Sequence, residues 1–504
     1  MSWHARRPRP ELPYPATIPG VLRWAAAEFG DRDLLVVGEE RLTFAEAERR
    51  SRVLAAQLLA DGVGKGTRVG LFHNYGADFV VAWLAALRIG ALVMPFSTLA
   101  TAAELRTMLH LGDVAVLLAA PQILGRDVRA LIAEAVPASL PSPQLPYLRR
   151  VEIRAGLGAG EPSADELVAA VEEQVTPADL AQVTYTSGSE ALPKGVVHSH
   201  GALVRNSSPQ ATRFAFDLVG LTGEVRTVFC GFPFFWVGGS LTLGQALQNG
   251  WTVCCVERFE PEAVLDVLER ERVDRVWAWP SLVQALRTAP SYARRDRAYL
   301  DRVLGTPAPG PVRHRGMSET MGNWFGIETK VIDPETGQEL GPDQEGELCV
   351  RGFAALQGYY KKEREDTFDP DGWLHTGDRV ARREWGLEFL GRYTEMVKTR
   401  GANVSPREIE VVLESADAVR HALVFGVPDP QVGEAVVAVL VPAPGREIDL
   451  DAVAELARRE LAPYKRPARY VVRAEDEIGW LPTGKPDKRG LKSDYLASEE
   501  MMAR

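Results

Sequence analysis

Cysteine and histidine are scarce in this chain. Its 504 residues include eight histidines and four cysteines. The cysteines lack the paired spacing of a metal-binding or redox motif and stand at Cys230, Cys254, Cys255 and Cys349. His198 and His200 are close together but have no further ligands nearby, which disfavours a structural metal site. We therefore expect reduced, buried cysteines in a cytoplasmic protein.

A long apolar run is also missing. The longest apolar stretch, residues 79–96, is interrupted by Arg88 and Gly90 and predicts a buried helix followed by a strand, not a membrane span. The N-terminal arginines are not followed by an apolar stretch, so we expect no secretory signal. The net charge of −10 is spread along the chain and argues against nucleic acid as a partner.

The remaining composition is that of an ordinary globular protein. Hydrophobic residues make up 46% and charged residues 25% of the chain, which excludes extensive disorder. Because 504 residues exceed what one core usually holds, we expect two or more domains.

Strand and helix patterns alternate through the first 280 residues, which predicts crossover units and mostly parallel sheets. Strands are expected at 68–73, 91–96, 114–119, 227–232, 252–256 and 275–279. From residue 328 the pattern changes to alternating strands and turns, and after residue 393 helices and strands mix. The predicted fold is α/β: a large N-terminal domain, 1–391, with two layered α/β sheets and a small antiparallel β-barrel, and a smaller α+β C-terminal domain, 392–504.

A loop of glycine and hydroxyl residues follows a strand predicted at 181–185. It contains Thr186, Ser187, Gly188, Ser189, Glu190 and Lys194. Backbone N–H groups between small residues can point at an anion, and Lys194 adds a positive charge suited to phosphate oxygens. The spacing of Gly188 and Lys194 excludes the Gly-x-x-x-x-Gly-Lys-Ser/Thr loop. Taken alone, the stretch fits better as a polar turn with one surface lysine, and the residues downstream decide whether it is a different phosphate loop.

Further motifs follow in the chain, and each alone fits an ordinary turn. They are Arg315–Thr320, Gly346–Gly352, Gly372–Asp378, Gly391–Arg392, Tyr464–Pro467 and Leu481–Lys488. Together and in this order, from about Pro15 to Leu491, they resemble the adenylate-forming superfamily of acyl-CoA synthetases, adenylation domains and firefly luciferase.

The resemblance implies a role for each motif in binding ATP. The glycine-rich loop would wrap the β- and γ-phosphates, Glu319 would bind Mg²⁺, and Ser318 would lie near the α-phosphate. Asp378 would accept hydrogen bonds from both ribose hydroxyls, because a carboxylate has two oxygens. The other residues expected at the nucleotide are Arg392, Lys398 and Gly401.

The resemblance also implies the reaction and the acyl site. Lys485, on a mobile C-terminal lid, would bridge the substrate carboxylate and the α-phosphate and offset the repulsion between two anions. A thiol, that of coenzyme A, would then displace AMP. The lid would turn at Thr394, where relatives usually carry Asp or Lys. The expected acyl pocket contains Trp236, Val237 and Gly238, with Gly238 and Gly239 leaving room for an aliphatic chain; Trp236 is equally well read as a core aromatic residue.

Two departures from the family pattern keep alternatives open. Glu190 stands in the phosphate loop, and the segment 281–345 is shorter than in relatives, at the place where the adenine usually binds. We expect an acid–thiol ligase that acts on a fatty acid, with ATP, Mg²⁺ and coenzyme A. The alternatives are an enzyme that loads a carrier protein and a non-catalytic nucleotide- or acyl-binding relative. The oligomeric state stays open, with a homodimer as one option.

Overall fold

The computed structural model describes residues 11–160, 165–186, 192–218, 223–305, 326–383, 386–393, 396–479 and 486–502. The chain divides into two compact units. The first unit consists of Met1–Thr98, Met108–Tyr185 and Gly195–Tyr393, and the second of Leu99–Thr107, Thr186–Lys194 and Thr394–Arg504.

Most helices fall within the first unit, and the last three belong to the second. In the described residues the α-helices are α1 (Ile18–Phe29), α2 (Phe44–Ala60), α3 (Ala77–Arg88), α4 (Ala102–Leu111), α5 (Val128–Ala135), α6 (Asp165–Glu173), α7 (His200–Asn206), α8 (Pro209–Leu218), α9 (Val237–Asn249), α10 (Pro261–Arg270), α11 (Pro280–Arg287), α12 (Arg297–Val303), α13 (Pro406–Glu414), α14 (Leu450–Glu460) and α15 (Lys488–Met502). Hydroxyl caps define several starts: the Thr17 and Thr43 side chains accept from the N–H of Gly20 and Glu46.

The strands are short at first and longer towards the C-terminus. They are β1 (Asp33–Val37), β2 (Glu40–Thr43), β3 (Arg68–Phe72), β4 (Leu92–Pro95), β5 (Val116–Ala119), β6 (Gln122–Ile123), β7 (Arg126–Asp127), β8 (Arg150–Ile153), β9 (Leu180–Thr186), β10 (Lys194–Ser199), β11 (Thr227–Cys230), β12 (Thr252–Cys255), β13 (Arg275–Trp277), β14 (Ile327–Ile332), β15 (Glu345–Gly352), β16 (Gly358–Tyr359), β17 (Leu374–Arg383), β18 (Gly386–Arg392), β19 (Val397–Thr399), β20 (Ala402–Val404), β21 (Val419–Asp429), β22 (Gly433–Pro442) and β23 (Arg469–Val472).

The predicted fold class is confirmed. One sheet has the order β13-β11-β12-β1-β2 and another the order β16-β10-β9-β4-β3-β5-β8. The pairs β3–β4, β3–β5, β11–β12 and β11–β13 are parallel, as crossover connections require. The predicted barrel takes the form of an antiparallel sheet, β14-β15-β17-β18. In the second unit, β19 to β23 form one mixed sheet with β21 and β22 antiparallel over ten residue pairs.

The apolar run at 79–96 forms a buried helix and a strand, as predicted. Every residue of α3 except Asp78 is buried, and β4 follows it in the core of the first unit. Gly90 joins them with φ of +72°, a conformation that favours glycine. The fully buried Arg88 donates to Glu172 at 2.6 Å and to Glu48 at 2.9 Å, so its charge is paired. Within the described residues, no helix is both long and apolar enough to cross a membrane.

Candidate functional site

Asp378 lies on an irregular stretch of β17. Glu347 and Cys349 are two residues apart on β15, but their partners on β17, Arg379 and His375, are four residues apart. The extra residues of β17 therefore bulge out of the antiparallel ladder. Bulges turn side chains away from the regular alternation of a strand. Asp378 lies within the bulge of β17, between His375 and Arg379.

Hydrogen bonds hold the bulge in one conformation. The Thr376 hydroxyl donates to the Leu348 carbonyl at 2.7 Å, and the Asp378 N–H donates to the same hydroxyl oxygen at 3.1 Å. The Gly377 N–H donates to Glu347 Oε1 at 2.9 Å. Gly377 has φ of +71°, which a larger residue adopts only with strain. The backbone on both sides of the Asp378 carboxylate is thus fixed by neighbouring groups, and its side chain is half-buried.

The next strand brings Arg392 to the same place. Asp378 and Arg392 are directly opposite each other in the register of β17 and β18. The Tyr393 N–H donates to the Gly377 carbonyl at 2.9 Å, which ties the end of β18 to the bulge. The backbone of Arg392 is described by the structure, whereas its side chain lies outside the described part. The antiparallel sheet thus places two of the predicted nucleotide-binding positions side by side.

The ends of the predicted phosphate loop are also tied together. β9 ends at Thr186 and β10 begins at Lys194. The Thr186 hydroxyl donates to the Lys194 carbonyl at 3.4 Å, which closes the base of the loop. Ser187, Gly188, Ser189 and Glu190 lie outside the described residues.

Lys398 and Gly401 lie on the β19–β20 hairpin of the second unit. Thr399 pairs with Ala402, so Arg400 and Gly401 form a two-residue turn, and both have positive φ, +51° and +81°. Such turns favour glycine. The side chain of Lys398 is exposed, and its N–H donates to Glu434 Oε2 at 2.7 Å. The positive φ that this turn requires is therefore sufficient to explain a glycine at position 401.

Aromatic side chains cluster after the carboxyl ends of two parallel strands, β11 and β13. The Trp279 ring lies 5.3 Å from Phe232 and 6.4 Å from Trp236, in edge-to-face arrangements. Trp236 also contacts Phe235, at 5.7 Å between ring centres. Ligands of open α/β sheets bind beyond the carboxyl ends of the strands. Trp236 and Trp279 are half-buried, so they can form the wall of an apolar cleft as well as pack in the core.

The start of α9 corrects one expectation about this cleft. Gly238 and Gly239 follow Trp236 and Val237 at the N-terminus of the helix. A Cβ on Gly239 would lie 2.2 Å from the Pro233 carbonyl oxygen, so the neighbouring backbone occupies the space that we expected to be open. A Cβ on Gly238 would approach the Phe232 ring to 3.2 Å. The glycines allow the helix to pack closely against residues 232–234, and the expectation that Gly239 leaves room for a chain is wrong.

Besides the four loop residues 187–190, four further predicted site residues fall in parts of the chain that the structure does not describe. They are Ser318, Glu319, Thr394 and Lys485. Their roles therefore stay predictions that rest on the sequence motifs.

Sequence reasoning missed two residues that the structure places at these sites. Glu347 anchors the bulge that carries Asp378, and Trp279 joins the aromatic cluster with Trp236. Glu347 is part of the glycine-rich motif Gly346–Gly352, and Trp279 is the last residue of a predicted strand, so the sequence marked both positions. The pairing of β15 with β17 was needed to give Glu347 a role. The buried cysteines were predicted correctly: all four are free and buried.

Comparison with protein families agrees with this architecture. Residues 22–324 match the model of the AMP-binding enzyme family, and residues 408–483 match that of the AMP-binding enzyme C-terminal domain. The chain belongs to the AMP-binding enzyme family, the adenylate-forming enzymes.

Individual relatives include ligases that join acids to coenzyme A. One is a Mycobacterium tuberculosis CoA ligase whose name describes a methyl-dioxo-octahydroindenyl propanoyl group; it is 30% identical over 94% of this chain and 98% of its own. Another is 4-coumarate–CoA ligase 3 of Oryza sativa subsp. japonica, 27% identical over 94% of this chain and 91% of its own. Among solved structures, the amide bond synthetase McbA of Marinactinospora thermotolerans aligns with a TM-score of 0.73 at 25% identity, covering 94% of this chain and 99% of that one.

Proposed function

We propose that this protein is an AMP-forming acyl-CoA synthetase. In the first step the oxygen of a carboxylate attacks the α-phosphorus of ATP, and pyrophosphate leaves. In the second step the thiol of coenzyme A loses its proton to solvent, its sulfur attacks the acyl carbon, and AMP leaves with the electrons of the broken C–O bond. Membership of the family over most of the chain supports this reaction class.

The observation that carries the proposal is the placement of Asp378. The hydrogen-bonded bulge fixes its backbone, and the register puts Arg392 opposite it. A carboxylate held in this way can accept hydrogen bonds from both hydroxyls of a ribose. Because the backbone is already fixed, less conformational freedom is lost when the nucleotide binds.

The phosphate end of ATP is assigned to the loop between Thr186 and Lys194. The bond between these two residues closes a loop rich in backbone donors. Mg²⁺, held by Glu319, would neutralise phosphate charge. Lys485 is assigned to the bridge between the substrate carboxylate and the α-phosphate, where a positive charge offsets the repulsion of two anions.

The aromatic cluster around Trp236 is the proposed wall of the acid-binding cleft. Apolar walls with few polar groups select apolar ligands. A medium- or long-chain fatty acid is the leading substrate, and acids with rings compete with it because the relatives are named for a coumarate and an indenyl propanoate.

The division of the chain supports a hinge next to the predicted domain boundary between 391 and 392. The first unit ends at Tyr393 and the second resumes at Thr394. We assign Thr394 as the hinge residue; hinges need not be charged.

Pyrophosphate release tests the proposal. The purified protein is given decanoate, 4-coumarate or an indenyl propanoate, with ATP, Mg²⁺ and coenzyme A. We expect turnover with at least one acid, and a loss of two to three powers of ten in Lys485→Ala because one stabilising charge is removed. Lys492→Ala, a change of a partly exposed lysine in α15, is the matched control and should keep full turnover. Equal rates in Lys485→Ala and the unchanged protein would refute the assignment of Lys485.

The acceptor is tested separately. The structural match to an amide bond synthetase raises an amine as a second acceptor. We expect thioester from coenzyme A and none of the amide when an alkylamine replaces it. Amide formation at the thioester rate would establish the second candidate, and ATP binding without turnover of any acid would favour the non-catalytic alternative.

A further inference from the structure

Three metal-binding side chains converge on the antiparallel sheet. Glu347, Cys349 and His375 each offer one donor atom, and these atoms all lie within 4.8 Å of one another. His375 Nδ1 is 3.0 Å from Glu347 Oε2 and 3.7 Å from Cys349 Sγ. The pairing of β15 with β17 brings the three side chains together. Cys349 is opposite His375, and Glu347, two residues before Cys349, lies on the same face of β15.

The donor types and their separations suit zinc. Zinc binds sulfur at about 2.3 Å and nitrogen or oxygen at about 2.0–2.2 Å, which puts tetrahedral ligand atoms about 3.3–3.8 Å apart. The distances from His375 Nδ1 to Glu347 Oε2, 3.0 Å, and to Cys349 Sγ, 3.7 Å, need shifts of a few tenths of an ångström. A thiolate, an imidazole and a carboxylate together favour zinc over Mg²⁺ or Ca²⁺, which prefer oxygen ligands.

The surroundings also fit a metal site. His375 Nε2 lies 3.7 Å from Asp369 Oδ2, and carboxylates commonly face the second nitrogen of a metal-bound histidine. The His375 side chain is 43% exposed, whereas Cys349 is fully buried, so an ion can enter from the histidine side. The bound cation displaces the thiol proton to solvent. Three protein ligands leave a fourth position for water.

We propose that Glu347, Cys349 and His375 form a zinc site, and that zinc binding there inhibits the enzyme. The inhibition rests on the proposed function, because the link runs through the nucleotide site. Glu347 uses its other oxygen to accept from the Gly377 N–H, next to Asp378. Zinc on Oε2 draws the carboxylate by the few tenths of an ångström that coordination requires, and this movement shifts the bulge that presents Asp378 to the ribose.

Metal titration of the full chain without substrates tests the site. We expect one equivalent of Zn²⁺ to bind, and Co²⁺ to give a thiolate charge-transfer band. Cys349→Ala should abolish that band, and His375→Gln should weaken zinc binding at least about tenfold, since even outer partners of a metal site contribute that much. Cys254→Ala and His110→Gln are the matched controls, a buried cysteine and an exposed histidine elsewhere in the first unit, and should bind zinc normally.

Failure of the zinc site can be distinguished from misfolding of a variant and from failure of the proposed enzymatic function. His375 is partly exposed, so His375→Gln should keep the thermal unfolding midpoint even if Cys349→Ala does not fold. No zinc bound at equimolar concentration, or equal zinc affinity in His375→Gln and the unchanged protein, overturns the site. In the pyrophosphate assay, zinc should inhibit the unchanged protein and inhibit His375→Gln at least about tenfold less strongly. Equal inhibition of both overturns the regulatory link.

Discussion

Glu347 Oε1 accepts a hydrogen bond from the Gly377 N–H at 2.9 Å, across two strands of the antiparallel sheet. The bond anchors the bulge one residue before Asp378. Glu347→Ala removes a charged acceptor, a loss worth about 1.5–3 kcal/mol, so we expect KM for ATP to rise about ten- to a hundredfold with a smaller effect on kcat. Steady-state kinetics over a range of ATP concentrations measure this.

The control for Glu347→Ala is Glu345→Ala. Glu345 lies on the same strand but is half-exposed, with a long 3.7 Å ion pair to Arg379. Exposed pairs of this kind contribute little, and KM should not change. If both variants have the KM of the unchanged protein, Glu347 does not position the nucleotide site.

The Asp378 carboxylate should recognise the ribose directly. Asp378→Asn keeps the size of the side chain but loses the charge, so we expect KM for ATP to rise about ten- to a hundredfold. The preference for ATP over 2′-deoxy-ATP should also shrink. An asparagine has one acceptor oxygen instead of two, so it cannot accept from both ribose hydroxyls, and loss of the 2′-hydroxyl then removes less binding. Asp371→Asn, in the exposed turn before β17, is the control. An unchanged preference in Asp378→Asn contradicts the role of Asp378 at the ribose.

The acid specificity should depend on Trp236. Trp236→Ala removes a ring that contacts Trp279 and Phe235, and we expect the optimum of a fatty-acid series to move towards longer or bulkier acids. The ratio of kcat/KM for dodecanoate to that for hexanoate measures the change. Tyr147→Ala, which removes an exposed aromatic ring, should leave the ratio as it is. If Trp236→Ala keeps the ratio of the unchanged protein, Trp236 is a core residue and does not line the cleft.

A buried lysine stabilises the second unit. Lys465 Nζ donates to Glu104 at 2.8 Å and to Glu408 at 2.7 Å, and all three side chains are largely shielded from solvent. Lys465→Met leaves two buried carboxylates without their cation, which costs about 3–5 kcal/mol of unfolding free energy. Denaturant unfolding measures the loss. Lys492→Met removes a more exposed 3.7 Å pair with Glu434 and should cost less than about 1 kcal/mol; equal losses would contradict the explanation.

Two buried histidines should make the fold sensitive to mild acid. Burial lowers the pKa of His73 and of His200 to about 4, from an ordinary 6.5. Both are neutral in the folded protein, so the unfolded chain binds more protons below pH 6.5. Stability is therefore retained above pH 6.5 and falls as the pH drops towards 4, by up to about 3 kcal/mol for each histidine.

The His200 contribution can be isolated. His200 Nδ1 accepts from the Ile18 N–H at 3.2 Å, and an asparagine oxygen can replace that acceptor. Unfolding midpoints of His200→Asn between pH 7 and 5 should decline less steeply than those of the unchanged protein. His110→Asn, at an exposed histidine, should follow the original slope. Parallel slopes in all three proteins would exclude His200 as a source of the acid sensitivity.

The sequence alone determined the fold class, the strand and helix order and the family resemblance. Apolar periodicity and turn residues are local signals, so the buried helix and strand within 79–96 and the strands at 68–73, 114–119 and 252–256 were predicted at nearly their observed places. Motifs are also read in order along the chain, which is why the sequence predicts Asp378 and Arg392 as nucleotide-binding residues.

Tertiary structure alone decided which side chains meet. Cys349 and His375 are 26 residues apart, and their contact depends on a strand register with a bulge, which no local pattern encodes. For the same reason Glu347 gained its role at Gly377, and the space beside Gly239 turned out to be filled by the Pro233 backbone. Periodicity along the sequence specifies which face of a strand is buried. Pairing between distant strands decides which side chains on that face come into contact.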